Sequence, residues 1–146
     1  ILNFTIKNKV SYLKKKKLTT KNFYNLYIKL FNDIKNDPRY ICSALKLNNK
    51  IISSIIGRID KKNYYYLIPS YLEKDFVKYS PGRILLKKQI KWCFENNIDL
   101  FDFGPGEFEY KKQWANDFKY YFKILEPKSF LGLIYYIFYK IKKVLY

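Results

Sequence analysis

The chain has no histidine, no methionine, two cysteines and only 12 acidic residues among 146. Without histidine, Ser-His-Asp and Cys-His nucleophilic catalysis, imidazole metal sites and an imidazole general base are all excluded. Any proton must move through a carboxylate, a tyrosine, a lysine, a thiol or water. Cys42 and Cys93 lie far apart with no C-x-x-C spacing. This speaks against a disulfide framework or a structural zinc site, fits a reducing, cytoplasmic setting, and leaves both residues as core thiols. The first residues, Ile-Leu-Asn-Phe-Thr, lack an initiating methionine and open a segment too polar for a signal peptide. The expectation is the C-terminal part of a longer protein.

Positive charge and apolar residues are abundant. Lys and Arg total 29, for a formal charge of +17, and hydrophobic residues make up 49% of the chain, enough to build a core. Such a charge suits polyanions: nucleic acid, anionic lipid or a phosphorylated cofactor. A second reading is codon drift in an AT-rich genome, because only Arg39, Arg58 and Arg83 are arginines while Lys, Asn, Ile, Tyr and Phe crowd the chain. Nucleic-acid readers lean on the arginine fork.

Residues 1–19, with four consecutive lysines at 14–17, read as a basic, solvated connector. From Thr20, with Thr19 or Thr20 as cap, Phe23, Tyr27, Leu30, Phe31 and Ile34 recur at helical spacing up to Asp37-Pro38. Three β-rich runs follow, at 40–47, 51–59 and 64–68, separated by polar turns at Asn48-Asn49 and Lys61-Lys62-Asn63. They predict an antiparallel meander. A helix starts after Ser80, which can cap it, with Pro81 in the first position and Leu86, Ile90, Cys93 and Phe94 on one face. Residues 98–103 predict a short strand ending in a Gly104-Pro105-Gly106 turn, 110–115 a helical turn, 118–125 a further strand, and 129–146 a helix. No internal repeat is visible. The fold class expected is mixed α/β: a mainly antiparallel sheet flanked by helices, with one right-handed β-α-β crossover at 64–103. A ligand belongs beyond the carboxyl ends of the strands at that crossover, where a helix N-terminus offers N–H groups to a phosphate.

Four pieces in order carry a resemblance: Tyr79-Ser80-Pro81-Gly82-Arg83-Ile84-Leu85-Leu86, Ile90-Lys91-Trp92-Cys93, Phe101-Asp102-Phe103-Gly104-Pro105-Gly106-Glu107, and Tyr110-Lys111-Lys112-Gln113-Trp114. Together, over roughly residues 40–126, the chain resembles the CelD-like (BioF-like) acetyltransferases of the GNAT superfamily, relatives of the Fem-type aminoacyl transferases. The resemblance implies a GNAT-like fold at 20–126, followed by an amphipathic helix at 127–146. It also implies acetyl-CoA as acyl donor, no metal, and an amine or hydroxyl acceptor in envelope or exopolysaccharide metabolism. It places the donor's phosphates at Ser80, Gly82, Arg83 and Ile84.

For chemistry, Asp102 among aromatic residues at a strand end is a candidate general base, though it can equally face solvent or bond the Gly104 turn. Glu107, just past that turn, is either the base that takes a proton from the acceptor or a surface acid. Tyr110-Lys111 resembles an aromatic-lysine pair that Fem-type enzymes place near the transferred acyl group. Lys111 would there steady the oxyanion, against the plain alternative of a surface lysine. Trp114 reads as packing, and Tyr64, Tyr65 and Tyr66 either line an acceptor cleft or pack the sheet.

On a helical wheel, Phe130, Leu131, Leu133, Ile134, Ile137, Phe138, Ile141, Val144 and Leu145 share one face, with Tyr135, Tyr136, Tyr139, Lys140, Lys142 and Lys143 opposite. The apolar stretch is too short to span a bilayer. It can lie on an anionic membrane, peripheral at the inner face, or dock on protein. Aminoacyl transfer from charged tRNA, and a silent polyanion- or membrane-binding module, are the alternatives to acetyl transfer.

Overall fold

The computed structural model describes residues 1–15, 21–72, 76–122 and 126–144. The chain divides into two compact units, Ile1–Gly106 and Glu107–Tyr146. In the first, two helices, α1 (Leu2–Lys15) and α2 (Lys21–Asn36), precede strands β1 (Tyr40–Leu47), β2 (Lys50–Asp60) and β3 (Asn63–Tyr71). A single 3₁₀ turn (Val77–Tyr79), helix α3 (Pro81–Glu95) and the three-residue strand β4 (Leu100–Asp102) complete it. The sheet order is β1-β2-β3-β4, antiparallel throughout the meander and parallel between β3 and β4. The expected meander and the β3-α3-β4 crossover are both present.

Turn chemistry sets the meander. Asn48 and Asn49 sit at φ 46° and 62° between β1 and β2, the left-handed pair that a tight hairpin needs and that asparagine tolerates. Residues paired directly across two strands share a face. Ala44 pairs with Ser54 and Ser43 with Ile55. The Ser54 hydroxyl meets Thr5 of α1 at 2.7 Å, whereas the Ser43 hydroxyl donates to Gln89 Oε1 of α3 at 2.6 Å. Hence α1 and α3 cover opposite faces. Ile34 of α2 joins Ile56 and Ile68 in a buried cluster on the α1 side. Cover on both sides explains why β2 is buried at every residue from Ile52 to Gly57 and lacks an alternating polar face. The serines in that run are satisfied, Ser53 donating to the Ser70 carbonyl at 3.1 Å.

Two expectations are corrected. Residues 2–15, read as a solvated connector, form α1, with Thr5, Val10 and Leu13 buried and the helix packed on β2 and β3. Its lysines had masked an apolar stripe at 2, 6, 10 and 13. Lys16 and Lys17 of the basic run, and the caps proposed at Thr19 and Thr20, fall outside the described residues. Residues 118–122, expected as a strand, are irregular, with Phe118, Tyr120, Tyr121 and Phe122 exposed, while 123–125 are outside the described residues. Apolar character alone does not make a strand without an edge to pair with. The second unit contains the helical turn α4 (Glu109–Lys112) and helix α5 (Phe130–Val144), as the periodicity indicates.

Candidate active site

Because β3 and β4 are parallel, their carboxyl ends point the same way, β4 ending beside Tyr65 and β3 running on to Tyr71, where the α3 start packs. The ladder between the two strands stops at Tyr65↔Asp102, while β3 continues along β2 to Tyr71. Beyond it the chain turns at Gly104, φ 71°, with its N–H donating to Asp102 Oδ1 at 2.6 Å. This is the topological switch where open sheets take ligands. Beside it Phe101 and Phe103 pack against Tyr64 and Tyr66. The Tyr64 ring stacks on Phe101 at 5.0 Å, and Tyr66 meets Phe103 edge-on at 5.9 Å. Tyr64 is fully buried and Tyr66 nearly so. These two therefore pack the sheet rather than line an acceptor cleft. Burial pushes the Tyr64 phenol far above its usual range, which removes it from acid-base work.

Ser80 stands at the N-cap of α3, but in the left-handed region, φ 48° and ψ 54°, with no side-chain cap. The capping hydroxyl expected from sequence does not form, because that bond requires an extended backbone at the N-cap. The Ser80 carbonyl instead accepts from the N–H groups of Arg83 (2.9 Å) and Ile84 (3.2 Å), and its own N–H donates to Val77. Pro81 has no N–H, so the first-turn donor left outside this set is Gly82. A Cβ on Gly82 would only touch the Tyr71 ring at 3.4 Å, so the turn packs directly on the β3 exit. Tyr71 went unremarked in the sequence, where nothing marks the last residue of a strand as a neighbour of the next helix. No acid occupies the first turn of α3, and Arg83 and Ile84 are exposed there. An anionic phosphate fits a helix start of this composition.

On the α3 side of the sheet, Gln89 and Cys93 are buried. The Cys93 thiol is pushed up to about 11 by burial, partly opposed by its hydrogen bond with Gln89. A thiol held neutral in this way is a core group, as expected for both cysteines. Among the described residues no group of three or more Cys, Asp or Glu side chains could hold a metal ion.

Glu107, Tyr110 and Lys111 belong to the second unit. Glu107 is exposed. Burial raises the Tyr110 phenol. Lys111 is buried, at 9% exposure, with its ammonium 5.3 Å from the Phe108 ring centre, so it is not the surface lysine its abundance suggests. Neighbouring Lys112 pairs with Glu109 at 3.0 Å. Trp114 is half-buried, and its backbone N–H donates to the Lys111 carbonyl at 3.0 Å, closing the α4 turn.

The family model for the acetyltransferase (GNAT) domain matches residues 16–112, more than half the chain. The chain belongs to that family. The chemistry of that family is acyl transfer, and the sheet, helices and crossover of this chain are those of a GNAT domain. A GNAT family acetyltransferase from Staphylococcus aureus aligns at 18% identity and TM-score 0.51 over 70% of this chain and 77% of its own. An aminoglycoside acetyltransferase from an uncultured soil metagenomic sample, solved with sisomicin, aligns at 11% identity and TM-score 0.55 over 84% and 86%. Both likenesses are of fold. The ribosomal-protein-S18-alanine N-acetyltransferase of Escherichia coli aligns at 20% identity and TM-score 0.43 over 48% of this chain, which spans 44% of that protein. No curated protein matches the chain.

Proposed function

We propose that the chain transfers an acetyl group from acetyl-CoA to an amine or hydroxyl of an envelope or exopolysaccharide precursor in the cytoplasm, as a CelD-like member of its family. The observation that carries this reading is the α3 start. A helix N-terminus bears partial positive charge and N–H groups that favour an anion such as phosphate. Here the turn is entered through Ser80 in a left-handed conformation that costs about 1–3 kcal/mol and that functional turns retain, with an arginine at position 83 beside the Gly82 N–H. Arg83 and the Gly82 N–H hold phosphate, with Ser80 and Ile84 shaping the turn.

Bound acetyl-CoA supplies a thioester carbonyl open to attack. Glu107 or Asp102 takes the proton of the acceptor as its nitrogen or oxygen bonds the acyl carbon and the carbon–sulfur bond breaks. To Lys111 we assign the steadying of the oxyanion, with Tyr110 next to it in sequence. The Fem-type alternative, with charged tRNA as donor, is favoured only by the +17 charge.

Calorimetric titration with acetyl-CoA tests the reading. Micromolar binding that weakens about tenfold or more in Arg83→Ala supports it, since a charged hydrogen bond contributes about 1.5–3 kcal/mol. A folded chain that leaves acetyl-CoA unbound, yet binds charged tRNA with steep salt dependence, overturns it.

A further inference from the structure

From Pro127 to Tyr146 the chain has no acidic residue and four lysines, at 128, 140, 142 and 143. Within α5, Phe130, Leu131, Tyr135 and Phe138 are 67–78% exposed. At about 100° per residue, positions 130, 131, 133, 134, 137, 138, 141 and 144 fill an arc of about 160°, and positions 140 and 142 lie about 20° beyond its two margins. The remaining arc carries Tyr135, Tyr136 and Tyr139, with Lys140 at 5.3 Å from the Tyr136 ring centre. Among the described residues no helix is long and apolar enough to cross a membrane.

These features fit one kind of surface. An apolar arc bordered on both sides by lysines lets the aliphatic face enter the acyl region while the ammonium groups remain at headgroup depth. A protein groove would take a narrower stripe of side chains three and four residues apart. With every charge on the helix positive, the complementary surface is anionic. We propose that α5 seats the chain on an anionic lipid bilayer, lying in the plane of the interface. The proposal stands on α5 alone and does not depend on the identity of the acyl donor.

Co-sedimentation of the full chain with vesicles at about 0.15 M salt tests it. Phosphatidylcholine vesicles containing about 30% phosphatidylglycerol should bind at least about tenfold more tightly than phosphatidylcholine alone. Replacing Lys140, Lys142 and Lys143 together by Gln should weaken binding on the order of 100-fold, at about fivefold per charge. Leu131→Ser with Phe138→Ser should weaken it about tenfold or more. Lys87→Gln with Lys88→Gln, on exposed positions of α3, should change it less than about threefold. The vesicle-free melting midpoint of each variant should stay within about 2 °C of the parent. Equal binding to the two vesicle types, an equal loss in the α3 variant, or an unchanged affinity in the serine variant overturns the proposal. So does a lower melting midpoint or a dimer dissociated by the serine substitutions, because either means that α5 covers protein.

Discussion

Gly57→Ala is the sharpest probe of the sheet face that supports the candidate site. A Cβ at Gly57 would overlap the hydroxyl end of Tyr64, with Cε2 of the ring at 2.6 Å. Tyr64 has no exposed surface and stacks on Phe101 at 5.0 Å, which in turn lies 4.8 Å from Phe103. The ring cannot yield without opening this aromatic series. Overpacking costs about 1–3 kcal/mol, and a disturbed aromatic pair about 0.5–1.5 kcal/mol more. Reduced freedom of the unfolded chain offsets about 0.4–1 kcal/mol. The net expectation is a loss of about 2 kcal/mol, or about 6 °C in melting midpoint for a domain of this size. Urea unfolding followed by circular dichroism reads the free energy directly. Gly82→Ala is the internal comparison, since its Cβ makes an ordinary 3.4 Å contact with Tyr71 in the first turn of a helix. There the same substitution should stabilise by about 0.4–1 kcal/mol. A Gly57→Ala variant as stable as the parent would refute the packing argument.

Asp102→Asn keeps an acceptor for the Gly104 N–H and should unfold within about 0.5 kcal/mol of the parent, whereas Asp102→Ala should lose about 1–2 kcal/mol. If Asp102 is the base, the Asn variant should also lose about 100-fold or more in acetyl-transfer turnover, and unchanged turnover assigns the carboxylate to the turn alone. Ser43→Ala strands the buried Gln89 amide and should cost about 1–3 kcal/mol in a denaturant titration, whereas Ser43→Ala with Gln89→Leu should recover most of that loss. A double variant as unstable as the single one would remove the hydrogen bond from the account. The Cys93 thiol, raised to about 11 from the usual value near 9, is protonated in the native state where the unfolded chain begins to ionise. Its contribution is fully present below pH 9 and is lost as pH rises toward 11, by about 2 kcal/mol. Stability measured across that window should fall less steeply in Cys93→Ala, and parallel curves would refute the assignment.

Local signals made much of this protein legible in one dimension. The Asn48-Asn49 pair, the polar Lys61-Lys62-Asn63 break and the short β-rich runs marked the meander, because turn chemistry and strand patterning act over a few residues. Helical spacing marked α2, α3 and α5, and the Tyr79–Leu86, Phe101–Glu107 and Tyr110–Trp114 segments pointed to the GNAT superfamily, whose acetyltransferase domain model matches residues 16–112. Tertiary structure decided what depends on partners distant in sequence. Helix α1 hid behind its lysines, since only contact with β2 and β3 shows that Thr5, Val10 and Leu13 are buried. Residues 118–122 have strand-like composition and no strand, because a strand is made by its neighbour. The left-handed Ser80, the Asp102–Gly104 bond and the burial of Lys111 are likewise consequences of how the chain is held. Composition reports which groups are present, while burial and backbone conformation determine which of them can act.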